Sequence, residues 1–240
     1  GYESPTPIQA LTIPPALAGE DIVGLSQTGS GKTAAFALPA LQKLDLGNRA
    51  TPVLIICPTR ELCVTVCEEV HRLGIDTEGL TAVPVYGGAP MDRQIRALRK
   101  GSHIVVGTPG RLLDHLRRGT FKTDSVHLAV LDEADRMLDM GFIRDVRKLV
   151  AMLPRERQTM LFSATMPDDI VKLTHDMLRS PERIAVAPQG QTADRVEQKL
   201  YYVPTQQKRQ LLSELLKDVA MNRVIVFTRT KHGANKVAEH

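Results

Sequence analysis

The sequence predicts an α/β fold, a parallel β-sheet flanked by helices, with an incomplete second α/β domain at the C-terminus. Three observations carry this. Short apolar runs alternate with longer stretches of helical periodicity. Each run is mostly β-branched or aliphatic, as strands buried on both faces should be. After the polar stretch Pro188-Gln189-Gly190-Gln191-Thr192-Ala193 the same pattern restarts. A chain of 240 residues is long enough for one well-filled core plus a remainder. The expected layout is a first domain over 1–188, a linker over 189–195 and a fragment of a second domain over 196–240.

In chain order, the Pro-rich opening Ser4-Pro5-Thr6-Pro7-Ile8-Gln9 leads to an expected strand over Asp21–Leu25. Next comes Ser26-Gln27-Thr28-Gly29-Ser30-Gly31-Lys32-Thr33, which joins glycines to a lysine, a hydroxyl and a helix start. Glycines let successive N–H groups turn inward and the helix adds its positive dipole end, so the stretch reads as a phosphate cradle. Lys32 would reach β- and γ-phosphate oxygens, and the Thr33 hydroxyl would hold Mg²⁺. The generic pattern opens on glycine where this chain has Ser26, which leaves a flexible Ser/Gly loop entering a helix as the alternative. Pro39 should bend or divide the helix over Ala34–Leu44, because it removes a donor and clashes one turn back.

Further strands are expected over Val53–Cys57, Thr81–Tyr86, His103–Gly107, Val126–Leu131, Gln158–Phe162 and Arg183–Val186. Between them Leu62, Val66, Val70 and Leu73 mark one helical face, and Leu112, Leu113 and Leu116 another. In a parallel sheet the ligand lies beyond the carboxyl ends of the strands, so polar residues there are the candidates for function. Val126–Leu131 runs into Asp132-Glu133-Ala134-Asp135, and Gln158–Phe162 into Ser163-Ala164-Thr165. Such a carboxylate cluster is often a solvated helix start. Its position after an apolar strand, in a chain with a phosphate loop, favours a Mg²⁺ site instead. Asp132 would hold the metal, mainly through its waters, and Glu133 would orient or deprotonate an attacking water. Gly87-Gly88 and Pro109-Gly110 allow backbone N–H groups to approach phosphates, while Arg60 and Arg111 supply charge and forked donors. Each taken alone is also an ordinary turn.

Composition narrows the partners. Lys and Arg total 31 against 27 Asp and Glu, a formal charge of +4 that permits an anionic partner without demanding one. Aromatic residues make up 4% with no Trp, which argues against a base-stacking platform. Cys57, Cys63 and Cys67 lack metal or disulfide spacing and read as reduced core residues of a cytoplasmic protein. No apolar run approaches the length of a membrane span. His71, His103, His115, His127 and His175 form no ligand pattern, and Arg93, Arg96, Arg99 and Lys100 read as a solvated helix face. The chain begins with Gly1, as expected where a native N-terminus has been removed.

With these motifs in order, the chain resembles the DEAD-box ATP-dependent RNA helicases, of bacterial type. Gly1 to Gln9 is similar to the family's adenine-reading Q motif. The resemblance implies that Gln9 hydrogen-bonds the base, with Tyr2 and Thr6 beside it, because a carboxamide offers both donor and acceptor to adenine. Ser26, Gln27, Thr28, Gly29, Ser30, Gly31, Lys32 and Thr33 resemble motif I, in which the first position is commonly a small non-glycine residue. Pro58-Thr59-Arg60 resembles motif Ia, Gly87-Gly88 the paired-glycine motif and Thr108-Pro109-Gly110-Arg111 motif Ib; in the family these line the RNA path. Asp132 to Asp135 spells the DEAD tetrapeptide and Ser163-Ala164-Thr165 is similar to motif III, so Asp135, Ser163 and Thr165 join the implied catalytic set. The fold implied is RecA-like, with ATP and Mg²⁺ as ligands and RNA bound by its backbone.

Beyond the linker, strands are expected over Val196–Val203 and Val224–Thr228, with helices over Gln206–Val219 and from Lys231. Val226-Phe227-Thr228-Arg229-Thr230 resembles motif IV of the second RecA-like domain. The family's arginine-rich motif, which supplies finger residues to ATP, has no counterpart in these residues. The expectation is therefore a chain that binds adenine nucleotide, with little RNA-stimulated ATPase and no unwinding. An ATP-gated RNA clamp or scaffold is the alternative reading of the parent protein, and a small-molecule kinase a weaker one.

Overall fold

The structure is a computed structural model, and it describes residues 3–186, 197, 199–218, 221 and 223–239. The chain divides into two compact units, Gly1–Gln191 and Thr192–His240.

The first unit contains seven parallel strands: β1 (Ile22–Leu25), β2 (Ala50–Ile56), β3 (Ala82–Val85), β4 (Ser102–Gly107), β5 (Leu128–Leu131), β6 (Gln158–Ser163) and β7 (Glu182–Ala185). Their order across the sheet is β3-β4-β2-β5-β6-β1-β7. Register is set by pairs such as Ile56 with Leu131 and Leu25 with Ser163, which bring the carboxyl ends of neighbouring strands level. Each observed strand overlaps an expected run. β2 starts earlier than expected, at Ala50, where its register with β4 shifts before Val53.

Both faces of the sheet are covered, because side chains alternate along each strand. Val53 and Ile55 pack with Ile8, Phe36, Cys63 and Val66, on helices α1 (Pro7–Ala18), α2 (Lys32–Gln42) and α3 (Arg60–Leu73). Leu54 and Ile56 pack instead with Leu112, Val146 and Ile170. These lie on α5 (Pro109–Arg117), α7 (Ile143–Ala151) and α8 (Asp168–Met177). Two short helices, α4 (Met91–Arg99) and α6 (Ala134–Asp139), complete this face. Crossover connections between parallel strands place helices on both sides in this way.

Pro39 does not divide α2. It lies near the helix C-terminus, is buried, and its carbonyl still accepts from Lys43 N at 3.2 Å. All three cysteines are free and buried. His103 and His115 are buried structural residues, His103 receiving Thr81 N at 3.0 Å. His71 lies on α3, its Nδ1 2.8 Å from Cys67 O, whereas His127 and His175 are exposed. Arg93, Arg96, Arg99 and Lys100 are exposed.

In the second unit the described elements are a 3₁₀ turn at Thr205–Gln207, α9 (Lys208–Leu215) and α10 (Lys231–Ala238). The expected strand Val224–Thr228 does not form: its residues carry no ladder, and Ile225 and Phe227 are 80% and 90% exposed. A strand exists only by pairing, and among the described residues this unit offers no partner. The same holds for 199–203 of the expected strand Val196–Val203, of which Val196 and Gln198 lie outside the described residues, as do Tyr2 and the expected linker 189–195. Among the described residues no helix is long and apolar enough to cross a membrane.

Candidate nucleotide and nucleic-acid site

Every candidate residue of the first unit that the structure describes lies on or near the carboxyl edge of the sheet, and strand order sorts them into two groups. Turns after β1, β5 and β6 carry Ser26 to Thr33, Asp132 to Asp135 and Ser163 to Thr165; turns after β2, β3 and β4 carry Pro58 to Arg60, Gly87-Gly88 and Thr108 to Arg111. The two groups meet at the β2–β5 pair.

In the first group, Ser26 N donates to Ser163 O at 3.1 Å, extending the β1–β6 ladder into the loop. Lys32 is buried and its Nζ donates to Ser26 O at 3.0 Å, while Ser30 Oγ donates to Ser26 Oγ at 2.9 Å. The loop therefore closes on itself through this lysine. Gly31 caps α2 with φ +94°, and a Cβ there would meet Gln9 Nε2 at 2.5 Å and Thr6 Oγ1 at 3.0 Å, so only glycine fits. Gln9 reaches this point from α1. Its Nε2 donates to Gly31 O at 3.2 Å and its Oε1 accepts from Thr6 N at 2.9 Å. Each amide atom retains one further hydrogen-bonding valence. Gln27, Thr28 and Gly29 are exposed at the loop tip, and Thr33 is half-buried.

Asp132 and Glu133 are 3% and 8% exposed. Burial raises the Asp132 carboxyl to about 6, against the pull of nearby Lys32, and the Glu133 charge raises it further. Glu133 holds a left-handed backbone, φ 54°, which is costly for a non-glycine residue and aims its side chain from a sharp strand-to-helix turn. Its Oε2 accepts from Arg136 NH1 at 3.1 Å. Cys57 follows β2 next to this turn, and burial with neighbouring Cys63 pushes its thiol well up, leaving it an inert packing group.

Asp135 is tied into a knot with the end of β6. Its Oδ2 accepts from Thr165 N and Thr165 Oγ1, both at 2.9 Å, and from Ala164 N at 3.2 Å; Ser163 Oγ accepts from Asp135 N at 3.2 Å and donates to Thr165 O at 2.8 Å. Asp135, Ser163 and Thr165 thus hold one another. A cavity of about 270 Å³ brings Gly31, Lys32, Thr33, Asp132 and Glu133 together, and an adjoining one of about 370 Å³ extends from Lys32 and Glu133 to Arg136 and Asp139. Sequence reasoning missed Thr65 and Glu69 of α3, which line the first cavity with Leu62, and Arg136, which holds Glu133. The i, i+3, i+7 spacing of Leu62, Thr65 and Glu69 was the available signal.

In the second group, Pro58 is buried and Thr59 caps α3, its Oγ1 accepting from Leu62 N at 3.3 Å. Arg60 lies over the Tyr86 ring, 5.1 Å from its centroid. Gly87 and Gly88 are exposed. Thr108 caps α5, Pro109 and Gly110 form its first turn, and Arg111 NH1 donates to Ala89 O at 3.0 Å.

A doubly covered parallel sheet, with a glycine loop after β1 leading into a helix and an acidic strand end two positions away, defines a RecA-like domain of the P-loop class. The family model for "DEAD/DEAH box helicase" matches residues 6–173. The chain is 45% identical over 241 residues to DEAD-box ATP-dependent RNA helicase CshA of Geobacillus kaustophilus, covering 100% of this chain and 51% of that protein. It is 48% identical over 238 residues to ATP-dependent RNA helicase CshA of Listeria monocytogenes, covering 99% and 46%. A crystal structure of a hypothetical ATP-dependent RNA helicase from Sulfolobus tokodaii superposes with a TM-score of 0.71 at 35% identity, covering 100% of this chain and 68% of that one. The chain belongs to the DEAD/DEAH box helicase family, and the curated relatives named here are bacterial. It spans about half the length of those relatives.

Proposed function

We propose that this chain is the nucleotide-binding half of an ATP-dependent RNA helicase. Residues 1–188 form the ATP-binding domain, 189–195 a linker and 196–240 the start of the second domain. The observation that carries the reading is the convergence of Lys32, Thr33, Asp132 and Glu133 on one cavity. That cavity shares a sheet edge with three turns that present backbone N–H groups and arginines.

The residues fit a nucleotide. Thr6 Oγ1 is buried without a hydrogen-bond partner beside Gly31 and Gln9, and Lys32 spends its charge on a neutral carbonyl. Lys32 would exchange Ser26 O for phosphate oxygens, a stronger charge-assisted bond. Gln9 would read adenine, with Thr6 and Tyr2 beside it. Thr33 and Asp132 would hold Mg²⁺, which would supply charge neutralisation to the bound phosphates. Glu133, once released by Arg136, would orient a water or take its proton at a carboxylate oxygen. The Asp135–Ser163–Thr165 knot would keep the strand ends in step. Arg60, Gly87, Gly88, Thr108, Gly110 and Arg111, with Pro58, Thr59 and Pro109 shaping the turns, would bind RNA phosphates without reading sequence. ATP and RNA would jointly stabilise a closed form of the longer protein, and hydrolysis would reopen it. Because the arginine-rich motif is missing from these residues, the isolated chain should bind nucleotide but not unwind a duplex.

The test is titration with a fluorescent ADP analogue. Lys32→Ala should weaken binding about ten- to a hundred-fold, the cost of charged hydrogen bonds worth about 1.5 to 3 kcal/mol. Unchanged affinity would remove the cradle from the reading. In a full-length version, Glu133→Gln should keep ATP and RNA binding while hydrolysis is lost; turnover equal to wild type would exclude Glu133 from that role.

A further inference from the structure

Two buried polar side chains serve no step above. Gln94 of α4 is 5% exposed and His115 of α5 is 0% exposed. Burying an amide and an imidazole is costly unless both are partnered, and both are. Gln94 Nε2 donates to Tyr86 O at 2.9 Å, and Gln94 Oε1 lies 3.1 Å from His115 Nε2. The amide oxygen can only accept, so Nε2 of His115 carries the proton between them. The other ring nitrogen, Nδ1, lies 2.8 Å from Thr120 Oγ1.

One of these bonds ends at the root of a candidate RNA turn, and the next ties it to α5 at His115, near the opposite end of that helix from Pro109. Tyr86 immediately precedes Gly87-Gly88, and α5, which carries His115, opens on Pro109-Gly110-Arg111. Arg111 NH1 ties the same two segments from outside through Ala89 O, 3.0 Å away. Tyr86 also reaches the third turn, since its ring lies 5.1 Å from Arg60. Packing does not hold the glycine turn: a Cβ added at Gly87 or Gly88 would meet nothing within 4 Å. Its position is therefore inherited from backbone bonds at its base. An exposed turn that must meet successive phosphates needs such support from behind, because a displacement of about 1 Å breaks the contact.

We propose that Gln94 and His115 are positioning residues for RNA: a buried brace that holds the Gly87-Gly88 and Pro109 to Arg111 turns, and Arg60 through Tyr86, in one register for a phosphate backbone. The inference rests on the RNA reading given under Proposed function. None of the bonds described reaches the Ser26 to Thr33 loop, so the brace acts on RNA and not on nucleotide.

Two substitutions separate its parts. Gln94→Met keeps the volume and removes both bonds; Gln94→Glu keeps the shape and an acceptor for His115 but, as a carboxylate, sets a charge against Tyr86 O in place of the donor. The measurements are anisotropy of a labelled single-stranded RNA at low salt, affinity for a fluorescent ADP analogue, and thermal stability. Both variants should lose about ten-fold in RNA affinity, as expected for a lost buried hydrogen bond, with ADP-analogue affinity within about two-fold of wild type. Arg60→Ala should cost a similar factor, and Gln94→Glu combined with Arg60→Ala should cost less than the product of the two, because Tyr86 links them. Wild-type RNA affinity in Gln94→Glu overturns the brace, as does a parallel fall in both affinities that tracks stability. If wild type binds RNA and Arg60→Ala weakens it while neither Gln94 variant does, the brace alone fails. If wild type shows no saturable RNA binding, the RNA reading fails and takes the brace with it.

Discussion

Val53 to Ile56 and Val224 to Phe227 are nearly interchangeable as sequence, each a four-residue run of β-branched and large apolar side chains. In the first unit the run is a central strand whose side chains are 0–1% exposed; in the second it carries no ladder, and Phe227 is 90% exposed. The difference lies in neighbours. β2 is flanked by β4 and β5 and covered by helices on both faces, whereas the described part of the second unit supplies no strand beside 224–227. An apolar run is a demand for burial, and only other segments can meet it.

The sharpest way to break this comparison is to truncate one side chain from each run. Ile55→Ala should destabilise the first unit by about 2 to 5 kcal/mol, through lost transfer energy and a cavity in a layer that cannot collapse. Urea unfolding followed by circular dichroism reads this directly. Equal costs for Ile55→Ala and Phe227→Ala would mean that the second run is buried in solution.

Burial of a charge rather than a methyl group reverses the sign. The Asp132 carboxyl sits at about 6 in the folded chain and near 4 when unfolded, so between those values the folded state holds the proton more tightly. Wild-type stability from this group is therefore greatest at acid pH, declines as pH rises from about 4 to about 6, and is flat above. Asp132→Asn lacks the decline. Its stability relative to wild type should rise by about 2 to 3 kcal/mol between pH 4 and pH 7.5 in metal-free protein. A difference that does not change with pH would show that Asp132 is better solvated than its burial implies.

Proteolysis then compares the two units within one chain. Chymotrypsin should cut first at Tyr202 and Phe227, 91% and 90% exposed, and spare Phe36 and Phe162, which are fully buried. Early cleavage at Phe36 would contradict the difference. The smallest effect belongs to Phe227→Ser, expected within about 0.5 kcal/mol of wild type because no buried contact is lost.

Much of the first unit was legible in the sequence. Seven apolar runs each overlap a strand because a doubly buried strand must be apolar along its whole length, and Ser26 to Thr33 and Asp132 to Asp135 stand out because their chemistry needs those residue types in order. Three things were not legible. Pro39 leaves α2 undivided, since a proline near a helix C-terminus costs little of the remaining ladder. Asp135 was grouped with Asp132, yet its carboxylate receives Thr165 from β6's end, a partner thirty residues on in the chain. Gln94 and His115 carried no motif, because a buried amide paired with a distant imidazole leaves no local pattern.

The sequence by itself determined the fold class, the glycine loop, the acidic strand end and the family, all of which depend on local spacing and residue type. Tertiary structure alone decided that the strands take the order β3-β4-β2-β5-β6-β1-β7. That order gathers the proposed nucleotide residues on one half of the sheet edge and the proposed RNA turns on the other, with Cys57 and Asp132 at the seam. It also decided that Lys32 rests on Ser26 O and that Val224 to Phe227 remains unpaired. The reason is physical: pairing and burial are relations between segments far apart in the chain, and periodicity within one segment records only what that segment requires.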